Sequence, residues 1–476
     1  MSGISTLKQS FKGDVVTPED AGYTEAIARW ATNAERRARI VAFVKDTHDV
    51  ALALDYARKY GLQVAVRCGG HSTSGSSSAE DGLVIDLSRH LNYAVVDPEK
   101  RTVRVGGGTL WGTVDKEAIQ HGLATVSSDI NHVGVSGLLL GGGYGFLTGQ
   151  HGLAIDNLLQ ATLVTANGTV LTLSEEENAD LFWGIRGGGS NFGVCTEFIL
   201  KLHPQRRTVF AGIVIFPPNV LDDLSTVLRQ WWATIKDNEG LLQILGKDHS
   251  GNDAIILSLF YNGSEDEGRK NFQRIFDLKP VFDGAREIPF ETLNTLANAV
   301  FTHGNNYHLN GVLLSGGPQP DVTKSVFKKV SELNAAPGNE VQHSYLFQYV
   351  SQRVTATVSE EATAYPRSNR TVSLATLKWA RSAPGNEEAA MRAGRELANI
   401  VAEAEARVSG GNARIYGNTT SETEAKTTVD GVQVLDDSNS RVLFGPNYSR
   451  LQRLKAKYDP ENVFSKWFAI APNPDA

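Results

Sequence analysis

The sequence has 476 residues, 41% of them hydrophobic, which is ample for a buried core and too long for one simple domain, so two domains are expected, or three. Its formal net charge of −7 provides no basic footprint for nucleic acid, and it contains no apolar run long enough to cross a bilayer. The two cysteines, Cys68 and Cys195, rule out a disulfide framework, and the first twenty residues lack the apolar stretch of a secretion signal, so an intracellular, cytoplasmic protein is expected.

In chain order, the first ordered unit runs from about Ala34. In DTHDVALALDYARKYG, Thr47 can cap a helix whose apolar face holds Val50, Leu54 and Ala57, and Gly61 stops it. QVAVR then reads as a strand entering a glycine turn. LVIDLS, AVVDPEK and TVRVGGG read as short strands, and WGTVDKEAIQHG as a helix ended by Gly122. ATLVTANGTVLTL is a hairpin signal, two alternating apolar runs around Asn167-Gly168. SEEENADLFWGIRGGGSNFG reads as a helix running into a glycine turn, and VCTEFILKLHP as a strand ended by Pro204.

From about 206 to 437 the glycine clusters thin out. Amphipathic helices (LDDLSTVLRQWWATI, EEAAMRAGRELANIVAEAEARV) alternate with strand-like runs such as AIILSLFYN and YLFQYVSQRVTATV. This predicts an α+β layer, a mainly antiparallel sheet with helices on one face. PNYSRLQRLKAKYDPENVF begins a last helix in which Leu451, Leu454 and Tyr458 share a face.

Several chemistries lack their motifs. No GxGxxG follows a strand, no phosphate loop of the GxxxxGK[ST] type is present, and no HExxH or CxxC offers a metal site. The glycine clusters need another account. They are Arg67 to Gly75 (RCGGHSTSG), His132 to Gly145 (HVGVSGLLLGGGYG) and Gly187 to Val194 (GGGSNFGV). One such cluster is a structural turn more often than a site. Three in one unit can line up main-chain N–H groups as an anion cradle for an extended dinucleotide.

Arg-x-Gly-Gly-His-Ser after a strand, VGVSGLLLGGGYGFLTGQHGLAIDN, DLFWGIRGGGSNFGV and the closing FGPNYSRLQRLKAKYDPENVF together resemble the FAD-linked oxidases of the vanillyl-alcohol-oxidase type, nearest the berberine-bridge-enzyme-like group. The resemblance spans about residues 34–204 and 441–470. It implies a two-lobed FAD-binding domain of the PCMH type from 1–205 and 438–476, with a substrate domain at 206–437. It also implies an oxidase that takes hydride from a CH–OH or CH–N carbon of a small substrate and passes the electrons to molecular oxygen, giving hydrogen peroxide. A dehydrogenase or oxidative cyclase of secondary metabolism, or a flavin-binding protein without turnover, are the other readings.

The family attaches the flavin to the histidine of the GGHS turn, here His71. A neutral imidazole can make that bond near neutral pH. Many relatives add a second bond from a cysteine in C-x-x-V-G-V-x-G. Ile130 stands at that place, so a single covalent link to His71 is expected. The resemblance also assigns Arg67, Cys68, Gly69, Gly70, Ser72, Val133, Gly134, Gly137, Gly142, Gly143, Tyr144, Gly145, Asn157, Gly193, Val194 and Asn447 to the cofactor.

Val133 falls where the family gates oxygen, or it is a packing residue. His132 replaces a small residue. It either faces the flavin as a base or orienting donor, or bonds to the backbone. Tyr416, in the Tyr416-Gly417-Asn418 match to a family Y-x-N strand, either helps deprotonate the substrate or is a buried, hydrogen-bonded tyrosine. Gln352 and Tyr365 are candidate pocket residues if strand alternation turns them inward, in a segment where Arg367 replaces the histidine of the family's TAFPHR.

Overall fold

Continuous apolar runs build the first sheet. Ile40–Phe43 and Leu83–Asp86 are buried at every position, as strands covered on both faces must be. The computed structural model of the protein describes residues 3–367, 370–383, 385–410, 414–422, 425–429 and 432–476, apart from the side chains of 425–429 and 432–436. The four strands lie in the order Asp14–Val16, Ile40–Phe43, Leu83–Asp86, Val64–Arg67; only the first pair is antiparallel. The helix Thr47–Tyr60 covers this sheet. Its cap is Asp46 and not the expected Thr47: the Asp46 carboxylate accepts from the Asp49 N–H at 3.1 Å. Gly61, in the left-handed region at φ 61°, ends the helix as expected. The chain then runs along Val64–Arg67 into the Gly69-Gly70 turn.

The second sheet has five antiparallel strands, Ala94–Asp97, Thr102–Gly106, Val194–Lys201, Leu158–Val164 and Val170–Leu173 in spatial order. It contains the expected hairpin, with Gly168 at φ 83°. The helices Trp111–Ile119 and Ala179–Ile185 stand where the sequence places them.

The third sheet is large and antiparallel. Its strands run Phe282–Asp283, Thr208–Phe216, Asp253–Tyr261, Glu239–Lys247, Gln342–Val350, Arg370–Ala380, Asn305–Ser315 and Arg414–Ile415, and Arg286–Pro289 also pairs with Thr208–Phe216. Side chains alternate across such a sheet. Tyr345, Phe347 and Tyr349 turn to one core, shared with the helices Leu221–Trp232, Pro320–Ala335 and Glu387–Ser409. Leu346 turns the other way, into the core it shares with the glycine-rich part. This is the α+β architecture expected, with helices on one face of the antiparallel sheet and the glycine-rich part against the other.

The strand Gln342–Val350 ends earlier than its sequence suggests. Gln352 therefore lies beyond the alternation, and its side chain serves a local turn: it donates to the Val350 carbonyl at 3.0 Å and accepts from Thr355 Oγ1 at 3.0 Å. Among the described residues, no helix is long and apolar enough to cross a membrane.

Candidate functional site

A cavity of about 250 Å³ opens between the glycine turns and the free face of the large sheet. The turn after Val64–Arg67 supplies Cys68, Gly69, Gly70, His71 and Ser72. The second cluster supplies Val133, Gly134, Gly137 and Tyr144, and the third Gly189, Ser190 and Gly193. Leu346, Gln348, Val372 and Leu374 come from the large sheet.

The first two clusters meet backbone to backbone. A Cβ on Gly69 would sit 2.7 Å from the Gly134 nitrogen, and one on Gly134 would sit 2.5 Å from the Gly69 nitrogen. Any larger residue at either position separates the two walls. Gly137 differs. Nothing lies within 4 Å of its would-be Cβ, so that side of the helix Val135–Leu140 leaves room for a ligand. The main-chain N–H groups of His71, Ser72 and Thr73 donate to no other group among the described residues, although all three residues line the cavity. A row of free donors beside open space suits a pyrophosphate.

His71 is held from both sides. Its ring stacks on Trp30 at 4.1 Å and 12°, and Trp30 in turn stacks on Tyr307 at 4.0 Å. Its Nε2 meets His132 Nδ1 at 2.9 Å. Burial, with the neighbouring His132 and His303 rings adding to it, pushes His71 well below the usual histidine range. The same burial brings His132 to about 4. Both rings are neutral at physiological pH. Nε2 is engaged with His132, so Nδ1 is the ring nitrogen not taken up by another side chain. His132 itself does not line the cavity. It stands behind His71, with His303 at 4.8 Å on its other side.

Tyr416 lines the cavity, but from the turn just after the strand Arg414–Ile415 and not from a strand. Asn418 donates to its phenol oxygen at 3.1 Å and to the Leu138 carbonyl at 3.1 Å, which pins the turn to the second glycine cluster. Burial raises the Tyr416 phenol above its ordinary range, so it remains protonated and can donate a hydrogen bond.

Other expected residues stand behind the wall. Arg67 pairs with the fully buried Asp86 at 2.6 Å. Gly142, at φ 110°, backs onto the Tyr365 ring, Gly143 onto Ala154, and Gly145 onto the Ser127 carbonyl. Asn157 donates to the His151 and Leu153 carbonyls, Val194 is core, and Asn447 donates to the Ala364 carbonyl at 3.2 Å. Tyr365 lines a neighbouring cavity of about 180 Å³ with Glu360 and Arg367, and Tyr144 lines both. Arg367 makes a buried pair with Asp156.

Sequence reasoning missed several lining residues: Trp30, Asp129, Gln348, Asn418 and Trp467. The Gln348 side-chain nitrogen is buried without a partner, a donor open to a ligand. Alternation along YLFQYV could have found Gln348 had the strand's end been known. Asn418 stands in the Tyr416-Gly417-Asn418 match, where only the tyrosine is a sequence candidate, and nothing local marks Trp30, Asp129 or Trp467.

Gly137 offers a direct test of the cradle. Its backbone is helical, so Gly137→Val should fold as the parent does, while its side chain enters the ligand space. We expect flavin content after purification to fall roughly tenfold or more, as overpacking penalties imply, with thermal unfolding of the flavin-free protein unchanged. Full flavin loading would remove Gly137 from the site.

A family model for an FAD binding domain matches residues 38–174, and one described as berberine and berberine like matches 423–469. The chain is 31% identical to the FAD-linked oxidoreductase pgmH of Aspergillus terreus over 98% of this chain and 96% of that one. It is 30% identical to (R)-6-hydroxynicotine oxidase of Paenarthrobacter nicotinovorans, with 99% of each covered. Among solved structures, 6-hydroxy-D-nicotine oxidase of Arthrobacter nicotinovorans superposes with a TM-score of 0.84 at 28% identity, covering 97% of this chain and 98% of that one. A glucooligosaccharide oxidase of Acremonium strictum, with a 6-S-cysteinyl, 8α-N1-histidyl FAD, shares the fold at a TM-score of 0.83 and 21% identity, with 99% of each chain covered.

Proposed function

The chain belongs to the berberine-like FAD-linked oxidoreductases, and from that premise we propose that it is an oxidase whose FAD is held by a single bond to His71. It takes hydride from a CH–OH or CH–N carbon of a small substrate, and molecular oxygen removes the electrons as hydrogen peroxide. FAD is the cofactor of the family and supplies the hydride acceptor when bound.

The observation that carries this reading is His71 itself: a neutral imidazole, fixed by Trp30 and by His132 at its Nε2, that lines a glycine-walled cavity. The free N–H groups of residues 71–73 would hold the pyrophosphate. Ile130 lines the cavity but offers only hydrocarbon where many relatives have a cysteine. Cys68 and Cys195 also line it. Burial raises both thiols, Cys195 to about 12, and Cys68 donates to the Thr109 carbonyl. A thiol held protonated is a poor nucleophile, which supports one attachment.

Val133 is the residue we assign to oxygen admission. Tyr416 orients the substrate as a donor. In this reading residues 1–205 and 438–476 serve the cofactor and 206–437 the substrate.

The test is denaturing electrophoresis viewed under ultraviolet light in acid. Wild-type protein should give a fluorescent band, and His71→Ala a dark one. Fluorescence surviving in the variant would place the link elsewhere. The oxidase half is read separately: the dithionite-reduced enzyme, mixed with oxygen, should reoxidise rapidly and release an equivalent of hydrogen peroxide. Slow reoxidation would make it a dehydrogenase.

A further inference from the structure

We propose that Asp129 makes this cavity a site for a small basic amine: its carboxylate pairs with the substrate's ammonium group and takes the proton before hydride leaves the adjacent carbon. The proposal rests on the oxidase reading above and narrows its substrate class.

Among the described residues that line the cavity, Asp129 is the only acidic side chain, and no lysine or arginine lines it. Its carboxylate accepts from the Ser128 hydroxyl at a long 3.5 Å, with its own main-chain N–H as the other local donor. Of the titratable groups around it, Tyr416 faces it across the cavity, and burial keeps that phenol neutral. His132, on the same loop, is turned to His71 and neutral. Asp115, from the helix beneath, is occupied by Asn294. No cation therefore compensates Asp129. An uncompensated carboxylate in an apolar cavity is costly, and a ligand cation offsets that cost where an alcohol cannot. The rings of Trp467 and Tyr416, which also line the cavity, favour a cation further.

The proton chemistry matches. Burial lifts Asp129 to about 6, so at neutral pH it is ionised yet basic enough to accept a proton. The ammonium N–H bond breaks and its proton passes to the carboxylate. The freed lone pair then assists departure of hydride from the neighbouring C–H to the bound FAD, leaving a C=N iminium. Water hydrolyses the iminium after release, and molecular oxygen takes the two electrons as hydrogen peroxide. Tyr416 is not needed as a base, which agrees with its raised pKa.

The test uses flavin-loaded protein and two probes of one shape, pyrrolidine and cyclopentanol, titrated against the flavin absorption spectrum. Pyrrolidine should perturb the wild-type spectrum at pH 7.5 (a working value on the order of physiological pH). Its affinity should weaken as pH falls through about 6. In Asp129→Asn it should drop roughly thirtyfold or more, the scale of losing a desolvated charge pair. Cyclopentanol should bind both proteins alike at every pH.

Equal binding of pyrrolidine to wild type and variant overturns the proposal, as does a response to cyclopentanol and none to pyrrolidine, or to neither probe. Should the variant not fold, the wild-type pH dependence of pyrrolidine binding decides alone, supported by the infrared titration of the carboxyl carbonyl. A wild type that binds no flavin overturns the oxidase reading instead.

Discussion

Lys455→Met should cost the protein roughly 3–5 kcal/mol of stability, the penalty for leaving one partner of a buried ion pair alone. Lys455 has no exposed side-chain surface, and neither does Asp459, 2.6 Å away. Its ammonium also donates to the Asn191 and Phe464 carbonyls, each at 2.7 Å. All three of its protons are used. Burial draws its pKa down to about 8, so it is still charged at neutral pH. Asp459 in turn accepts from the Val463 and Phe464 N–H groups. The Asn191 side chain spans the same joint, donating to the Gly188 and Trp467 carbonyls.

The helix Tyr448–Tyr458 thus clamps the third glycine turn, which brings Gly189, Ser190 and Gly193 to the cavity. Methionine leaves a buried carboxylate without its counter-ion and two carbonyls without a donor. Urea unfolding followed by tryptophan fluorescence should show the loss, and the absorption spectrum of the bound flavin should change at lower urea than global unfolding. Pairing Lys455→Met with Asp459→Asn should recover part of the stability, because the orphaned charge is gone. A single variant as stable as wild type would mean that packing alone holds the joint.

Asp115→Asn should act in the opposite direction, with an effect that depends on pH. Asp115 sits in the helix Trp111–Ile119, where it accepts from Asn294 Nδ2 at 2.8 Å, and its other oxygen has no partner. Burial raises it from 3.8 to about 7. The folded state therefore holds its proton where the unfolded chain releases it. The contribution to stability is whole below about 3.8, falls as pH rises, and is fully lost above about 7. The difference corresponds to at most about 4 kcal/mol.

Asparagine keeps the acceptor for Asn294 and cannot ionise. The variant should match wild type near pH 4 and exceed it increasingly towards pH 8, values on the order of the two limits above. Denaturant melts at both ends would read this, and parallel curves at both would show that Asp115 does not titrate as argued. The site benefits too, because the Asn294 carbonyl accepts from the Asn131 N–H at 2.8 Å and so holds the loop that carries Asp129.

The short-range features were legible in the residues alone. The glycine clusters, the helix stop at Gly61, the hairpin at Asn167-Gly168 and the antiparallel layer under helices all follow from backbone freedom and from periods of 2.0 and 3.6 residues. The FAD-linked family and its cofactor were readable in the ordered motifs around His71. The end of a strand was less legible. YLFQYVSQRVTATV keeps its β-favouring composition past Val350, but the chain there turns on its own side chains, and Gln352 is spent on that turn while Gln348 reaches the cavity.

By itself, then, the sequence determined the fold class and the cofactor family, because these depend on patterns within a few residues. Only the tertiary structure decided which side chains share the cavity. Trp30 stacks on His71 and donates to the carbonyl of Phe301, 271 residues away. Asp129 is one of 53 acidic residues in the sequence, and nothing local distinguishes it. Its significance lies in having no cation beside it, and whether a charge is left unpaired in an apolar space depends on every segment that packs around it.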